Sequence, residues 1–384
     1  VDPDREQRIA AAARGAEQDA AIQARLAEVE AALAHERGQA PLDEFQLRVG
    51  ERDDGDPNVR VLTRIPVPNP WELRTERALR SAETEASLAK LEETALERGA
   101  ERCALAIEGR AHAERARLYE GYAERQRELL AWGAEWRRSG AASEAAATRF
   151  EIERRVRLAE RLPDPPPIGP LGAAELPAVA PPAAPLDASP ELVSQLVRIR
   201  HPSVSVRSAT SEGYAALSEQ SARSALPWFD FVDLGYEARG RQPDEIGGQV
   251  AVRVPFGRAA RGEAGRFEAL RRAELHEADR IVLEQVRAGR AALQELARFE
   301  ANAPRWRELL ELAEGAESVA ERWWRGRLAD PSDVAELFDR AFDARSSVLD
   351  ERARAGLAGC RLLAATGVVP EAWPRAPAAA PGIP

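Results

Sequence analysis

The sequence predicts a mainly α-helical chain with a small membrane β-barrel part, built as two tandem repeats of helix, β-hairpin and long helical hairpin. Three observations predict it. Long tracts of alanine, glutamate, arginine and leucine dominate the 384 residues, while aromatics make up only 5% and charged residues 31%, a composition suited to extended helices packed along thin seams rather than to a globule. Two short segments in each half switch from helical spacing to strict alternation. Landmarks also recur at one common offset to within a residue: Pro41 and Pro227 open strand-like stretches, Pro68 and Pro255 close them, and Gly140 and Gly326 sit in Trp/Arg-rich turns. That recurrence marks an internal duplication.

The first repeat, 1–162, opens with an Ala/Glu/Arg helical tract over 3–37. The period then changes. Phe45, Leu47 and Val49 alternate with Gln46 and Arg48, predicting a strand over about 43–51. A turn signal follows in Asp53-Asp54-Gly55-Asp56-Pro57-Asn58, and Val59, Val61, Thr63, Ile65 and Val67 alternate with Arg60, Leu62 and Arg64 over about 59–68. Residues 71–162 contain no proline, and a helix running from there to Gly140 would be about 100 Å long at ~1.5 Å per residue. Leu88, Leu91, Ala95, Gly99, Cys103 and Ala106 step by threes and fours along it as a packing seam.

Residues 163–189 hold nine prolines, which forbid a continuous helix or central strand and predict a linker. The second repeat, 190–367, begins with a helical tract over 190–225, broken locally at His201-Pro202. Strands are expected at about 228–239 and 248–256 around a Gly240–Gly248 turn, with Val250, Val252, Val254 and Phe256 on one face. The next long helix carries a seam of Leu275, Ala278, Val282, Val286, Gly289, Leu293 and Leu296, and Pro304 should kink or break it. Residues 368–384 form a Pro/Ala-rich tail.

No run of about 18 apolar residues is present, so any membrane span must use strands. Four strands cannot stand alone in lipid, because their two edges leave backbone groups unsatisfied. Membrane barrels begin at about eight strands, and three copies would supply about twelve. Alternation then turns Phe45, Leu47, Val49, Val59, Val61, Ile65, Val67, Val250, Val252 and Val254 toward lipid. It turns Arg48, Arg60, Arg64 and Arg253 toward the lumen, lining it with positive charge. Trp71, Trp228, Phe229, Phe231, Tyr236 and Phe256 cluster at strand ends as candidate interfacial girdles.

Little points to chemistry. The net charge of −10, with arginines interleaved among acids, argues against a nucleic-acid partner. His35, His112, His201 and His276 are scattered, with no neighbouring cysteine and no HExxH arrangement, so no metal site is expected. Gly257–Gly262 lacks the lysine and hydroxyl of a phosphate loop. No catalytic residue or cofactor site is predicted, and the chain is not expected to be an enzyme. Cys103 and Cys360 fall in different helical tracts; a disulfide and simple seam packing both fit, with seam packing preferred. The start at Val1 suggests a chain whose targeting segment is not shown.

Several motifs carry a family resemblance over roughly residues 5–370. Val67-Pro68 and Val254-Pro255-Phe256 resemble the strand-ending Val-Pro-Leu-Phe pattern of the TolC-type outer-membrane efflux proteins, the outer membrane factors. Ser189-Pro190-Glu191-Leu192-Val193 through His201-Pro202 resembles the family's opening helix, and Arg322-Trp323-Trp324-Arg325-Gly326 through Asp333-Val334 its Arg-Tyr-x-x-Gly-Leu-x-x-x-x-Asp-Val turn. The first repeat departs from that turn, being shorter past Gly140, and Gly326 to Asp333 is one residue longer than the pattern. The linker and short loops resemble the heavy-metal efflux branch more than the drug branch.

The resemblance implies a homotrimer: an α-barrel across the periplasm continued by a 12-stranded β-barrel, four strands per protomer, in the lipid of the cell outer membrane. It implies the exit duct of a tripartite efflux or type I secretion system, passive toward small molecules or metal ions and docked on a periplasmic adaptor and an inner-membrane pump. Trp136, Arg137, Arg138, Gly140, Trp323, Trp324, Arg325 and Gly326 would form the adaptor-docking tips, with Asp333 and Glu336 at a periplasmic constriction. Both tip glycines are expected to reverse the chain through backbone angles closed to other residues. The alternative is a structural coiled-coil protein of the periplasm or envelope without channel activity.

Overall fold

The computed structural model describes residues 3–13, 19–38, 46–52, 58–67, 69–162, 189–224, 226, 228–238, 245–253 and 259–367. Its elements are α1 Pro3–Ala13, α2 Ala20–Arg37, β1 Gln46–Arg52, β2 Asn58–Pro66, α3 Pro70–Arg138, α4 Glu144–Glu160, α5 Pro190–Arg200, α6 Pro202–Arg223, β3 Trp228–Ala238, β4 Glu245–Arg253, α7 Ala259–Gly326 and α8 Pro331–Thr366. The order α-α-β-β-α-α therefore occurs twice. Pro41, Phe45, the 53–57 turn, Val254, Phe256, the 163–188 segment and the tail lie outside the described residues.

Local chemistry sets most boundaries. Asn69 opens α3, its side-chain oxygen accepting from the Trp71 N–H at 3.0 Å. Asp19 caps α2 and Ser143 caps α4 in the same way. The expected break falls between Arg200 and Pro202, where His201 is extended and proline takes the first helical position. Pro304 does not break its helix: α7 runs through it for 68 residues. One missing donor is not enough to end a ladder anchored on both sides.

The chain forms two compact units that cut across sequence order, 1–95 with 196–284 and 96–195 with 285–384. In the first unit, Leu88, Leu91 and Ala95 of the predicted α3 seam bury against Ala12, Ile22 and Val29 from α1 and α2. Arg5 and Arg8 fasten α1 to α3 through Glu85 and Glu92 at 2.6–2.9 Å. The α7 seam is only partly realised here: Val282 is buried, whereas Leu275 stays exposed.

In the second unit one cluster gathers Leu129, Trp132, Phe150, Ala320, Val334, Ala335 and Phe338. Gly133 lies so near Phe150 that a Cβ would stand 2.7 Å from its ring. Cys103 and Cys360 are joined in a disulfide, with Cα atoms 5.8 Å apart, correcting the preference for seam packing. The reason is close approach: Gly356, one turn before Cys360, leaves only 3.0 Å between a would-be Cβ and Ile107, so α3 and α8 come within bonding reach.

The sheet belongs to the first unit. Its order is β1-β2-β3-β4, with every neighbouring pair antiparallel. β4 starts at Glu245, earlier than expected, because Glu245, Ile246 and Gly247 continue to pair with Glu237, Tyr236 and Gly235. Gly247 and Gly248, expected in the turn, are in the ladder; on the neighbouring strand a Cβ on Gly235 would come within 3.2 Å of Leu62.

Candidate functional site

The pairing register assigns every strand residue to a face, since directly opposed residues share one. Leu47 and Val49 oppose Thr63 and Val61; Val61, Thr63 and Ile65 oppose Tyr236, Leu234 and Val232; Tyr236, Val232 and Phe229 oppose Ile246, Val250 and Val252. One apolar face therefore crosses all four strands. It is uncovered within the chain: Ile246 is 83% and Val49 66% exposed. Of the expected girdle aromatics, Phe229 and Tyr236 stand on this face. A register shift between Phe229 and Phe231 puts Phe231, and with it Trp228, on the other. Trp71 lies in α3, with the Arg223 guanidinium 4.6 Å from its ring centre.

Arg48, Arg60, Arg64 and Arg253 all register on the second face. Their charge is compensated at one position. Arg64 lies directly across from Asp233 and donates twice to it, Nε to Oδ1 at 2.8 Å and Nη2 to Oδ2 at 2.9 Å. The same guanidinium sits 3.7 Å from the centre of the Phe231 ring. Arg60 registers opposite Glu237.

In the second unit, α3 ends at Arg138 and the chain reverses at Gly140, whose φ of 71° only glycine adopts freely. The other tip is built differently from expectation. Gly326 ends α7, and the left-handed residue is Arg327 at φ 49°. The Leu328 and Arg327 N–H groups return to the Trp323 and Trp324 carbonyls at 2.9 and 3.3 Å, closing a Schellman-type end. Gly326 lies close under the Leu328 side chain, where a Cβ would meet Leu328 Cγ at 2.9 Å. Arg327 also reaches Glu135 at 2.6 Å, linking the two turns and holding the Glu135 carboxyl below its usual range. Arg137, Arg138, Trp323 and Arg325 are exposed, whereas Trp136 and Trp324 are half-buried. Trp324 packs against the Leu129–Phe338 cluster.

Comparison with solved structures decides the architecture. The chain matches VceC, an outer membrane protein of Vibrio cholerae, at TM-score 0.65 and 12% identity over 95% of this chain and 96% of that one. The MtrE outer membrane channel of Neisseria gonorrhoeae in its open state gives 0.65 and 13%, over 95% and 89%. CusC, described for transmembrane channel formation, gives 0.63 and 11%, over 96% and 93%. This is the TolC-type outer-membrane channel fold. No protein-family model and no curated protein sequence matches the chain.

Within this channel fold, Asp333 and Glu336 occupy the first turns of α8 and are exposed; Glu336 pairs with Arg340 of its own helix. The neighbouring Asp339 is the residue that sequence reasoning missed. It is buried, and its Oδ1 accepts from Tyr122 Oη at 2.7 Å, Arg161 Nη1 at 2.6 Å and Gln126 Nε2 at 3.3 Å, while Oδ2 accepts from Arg154 Nη1 at 2.7 Å. Burial first, and the Asp339 carboxylate next, push the Tyr122 hydroxyl well above its ordinary pKa. The available signal was an acid inside the apolar stripe Val334, Ala335, Phe338, Ala341, Phe342. Among the described residues no cluster has the make-up of a metal site, and no helix is long and apolar enough to cross a membrane.

Proposed function

We propose that this chain is the protomer of a homotrimeric outer-membrane channel, the passive exit duct of a tripartite efflux or type I secretion system. The observation that carries this is the four-stranded sheet: one face apolar and exposed, the other bearing arginines and acids, and the outer edges of β1 and β4 without a strand partner among the described residues. Such a sheet is satisfied in lipid only if further copies close it into a barrel. The disulfide supports an oxidising compartment such as the periplasm.

On this reading the repeats 1–162 and 190–367 each contribute one hairpin to the barrel, joined by the linker 163–189 and followed by the tail 368–384. Arg48, Arg60, Arg64 and Arg253 line the lumen. The Gly140 and Gly326 turns, with Trp136, Arg137, Arg138, Trp323, Trp324 and Arg325, dock on a periplasmic adaptor beneath an inner-membrane pump. Asp333 and Glu336 from three copies narrow the periplasmic end. Small molecules or metal ions are the cargo.

The test is particle imaging and bilayer recording of the detergent-extracted protein. A hollow trimer with stepwise conductance is expected. A protein that needs no detergent and is solid in projection would favour the envelope coiled-coil alternative and sink the channel.

A further inference from the structure

We propose that Asp233 determines the ion preference of the barrel interior by neutralising Arg64, leaving Arg48 as the exposed arginine that acts on passing ions. This rests on the assignment of the charged sheet face to the lumen. Sequence alternation alone puts four arginines there and implies a mildly anion-attracting mouth. The pairing changes that sum. Arg64 is held by both carboxylate oxygens of Asp233, a fork-to-fork arrangement that fixes both charges. Phe231, on the same face, covers the guanidinium with its ring at 3.7 Å. Asp233 is itself nearly buried, at 9% exposure, so it acts on Arg64 before it acts on solvent.

Arg48 is placed otherwise. It stands opposite Leu62, with no acid across the ladder, and its field reaches Asp233 only behind that of Arg64. Arg48 is also exposed. Three copies would therefore present three cancelled pairs at the Arg64–Asp233 level and three exposed Arg48 guanidiniums from β1. In a water-filled bore an uncancelled charge within several ångströms of the ion path changes local ion concentrations by about twofold or more. A cancelled pair does far less. Asp233 is thus a selectivity-determining residue, although it carries the sign opposite to the preference it permits.

The experiment compares anion-to-cation permeability ratios of purified trimers in planar bilayers under a KCl gradient. The parent, Asp233→Asn, Asp233→Asn with Arg64→Gln, and Arg48→Gln are compared. Asp233→Asn should raise the anion preference by about twofold or more by releasing Arg64, and adding Arg64→Gln should bring the ratio back to the parent value. A purely structural role for the pair would not produce that return. Arg48→Gln should lower the anion preference. If Arg48→Gln shifts the ratio and Asp233→Asn does not, the inference fails while the lumenal assignment stands; if neither shifts it, the lumenal assignment fails. Should Asp233→Asn not assemble, the double variant decides alone: a shift as large as that of Arg48→Gln would show that the pair is not neutral and overturn the proposal.

Discussion

Replacing Asp339 by alanine should loosen α4 from the second unit without unfolding the rest. The carboxylate accepts four hydrogen bonds, two of them from arginines whose side chains are only 8% and 9% exposed, and is itself 11% exposed. Removing it leaves Arg154 buried with no other acid in ion-pair reach among the described residues, while Arg161 keeps Asp343 at 2.8 Å. Breaking a buried ion pair by deleting one partner costs about 3–5 kcal/mol, chiefly because a charge is left without compensation. Arg154 lies within α4 and Arg161 caps its end, so the cost falls on local opening of that helix. At ~1.4 kcal/mol per factor of ten, amide hydrogen exchange in α4 should accelerate by roughly a hundredfold to a few thousandfold. Mass spectrometry of the intact assembly in detergent would read this directly. Asp343→Ala is the control: its side chain is 61% exposed, and loss of a mostly solvated pair is worth about 1 kcal/mol or less. Unchanged exchange in Asp339→Ala, or equal effects of the two variants, would refute the reasoning.

The buried phenol adds a pH dependence. Because the Tyr122 pKa is raised on folding, its contribution is complete below the unfolded value of about 10 and is lost as pH rises toward the folded one; α4 exchange, corrected for intrinsic rates, should stay level to that point and then increase, and Tyr122→Phe should abolish that component. Cys103→Ser with Cys360→Ser removes a cross-link spanning 257 residues and should cost about 2–4 kcal/mol, read as a lower denaturation midpoint that reductant does not lower further. Val61→Arg, on the apolar face, should cost about 2–4 kcal/mol near the bilayer midplane and reduce assembly, whereas Arg60→Val should assemble far better; equal yields would reverse the face assignment. Gly140→Val should cost about 1–2 kcal/mol through its left-handed backbone. Gly326→Val should instead suffer from contact with Leu328 and be relieved by Leu328→Ala, with stability and adaptor affinity measured for each.

Features that depend on neighbouring residues were legible in the sequence alone. The change from helical to alternating spacing put four strands between helices, and the alternation also sorted Leu47, Val49, Val61, Val250 and Val252 from Arg48, Arg60 and Arg64, as the register confirms. His201-Pro202 ended one helix and Gly140 reversed another, because the backbone limits of proline and glycine operate within a residue or two. What depends on partners distant in the chain was decided by the tertiary structure. Which acid meets Arg64, whether Cys103 finds Cys360, and how Asp339 gathers two arginines, a phenol and an amide all follow from strand register and helix approach. Even the second tip turned on contact: Gly326 looked like the residue that reverses the chain, yet Arg327 takes the left-handed angle and Gly326 lies close under Leu328. A sequence pattern records the preference of each residue for a backbone state or a face; it does not record which of many equivalent arginines and acids packing will bring within 3 Å.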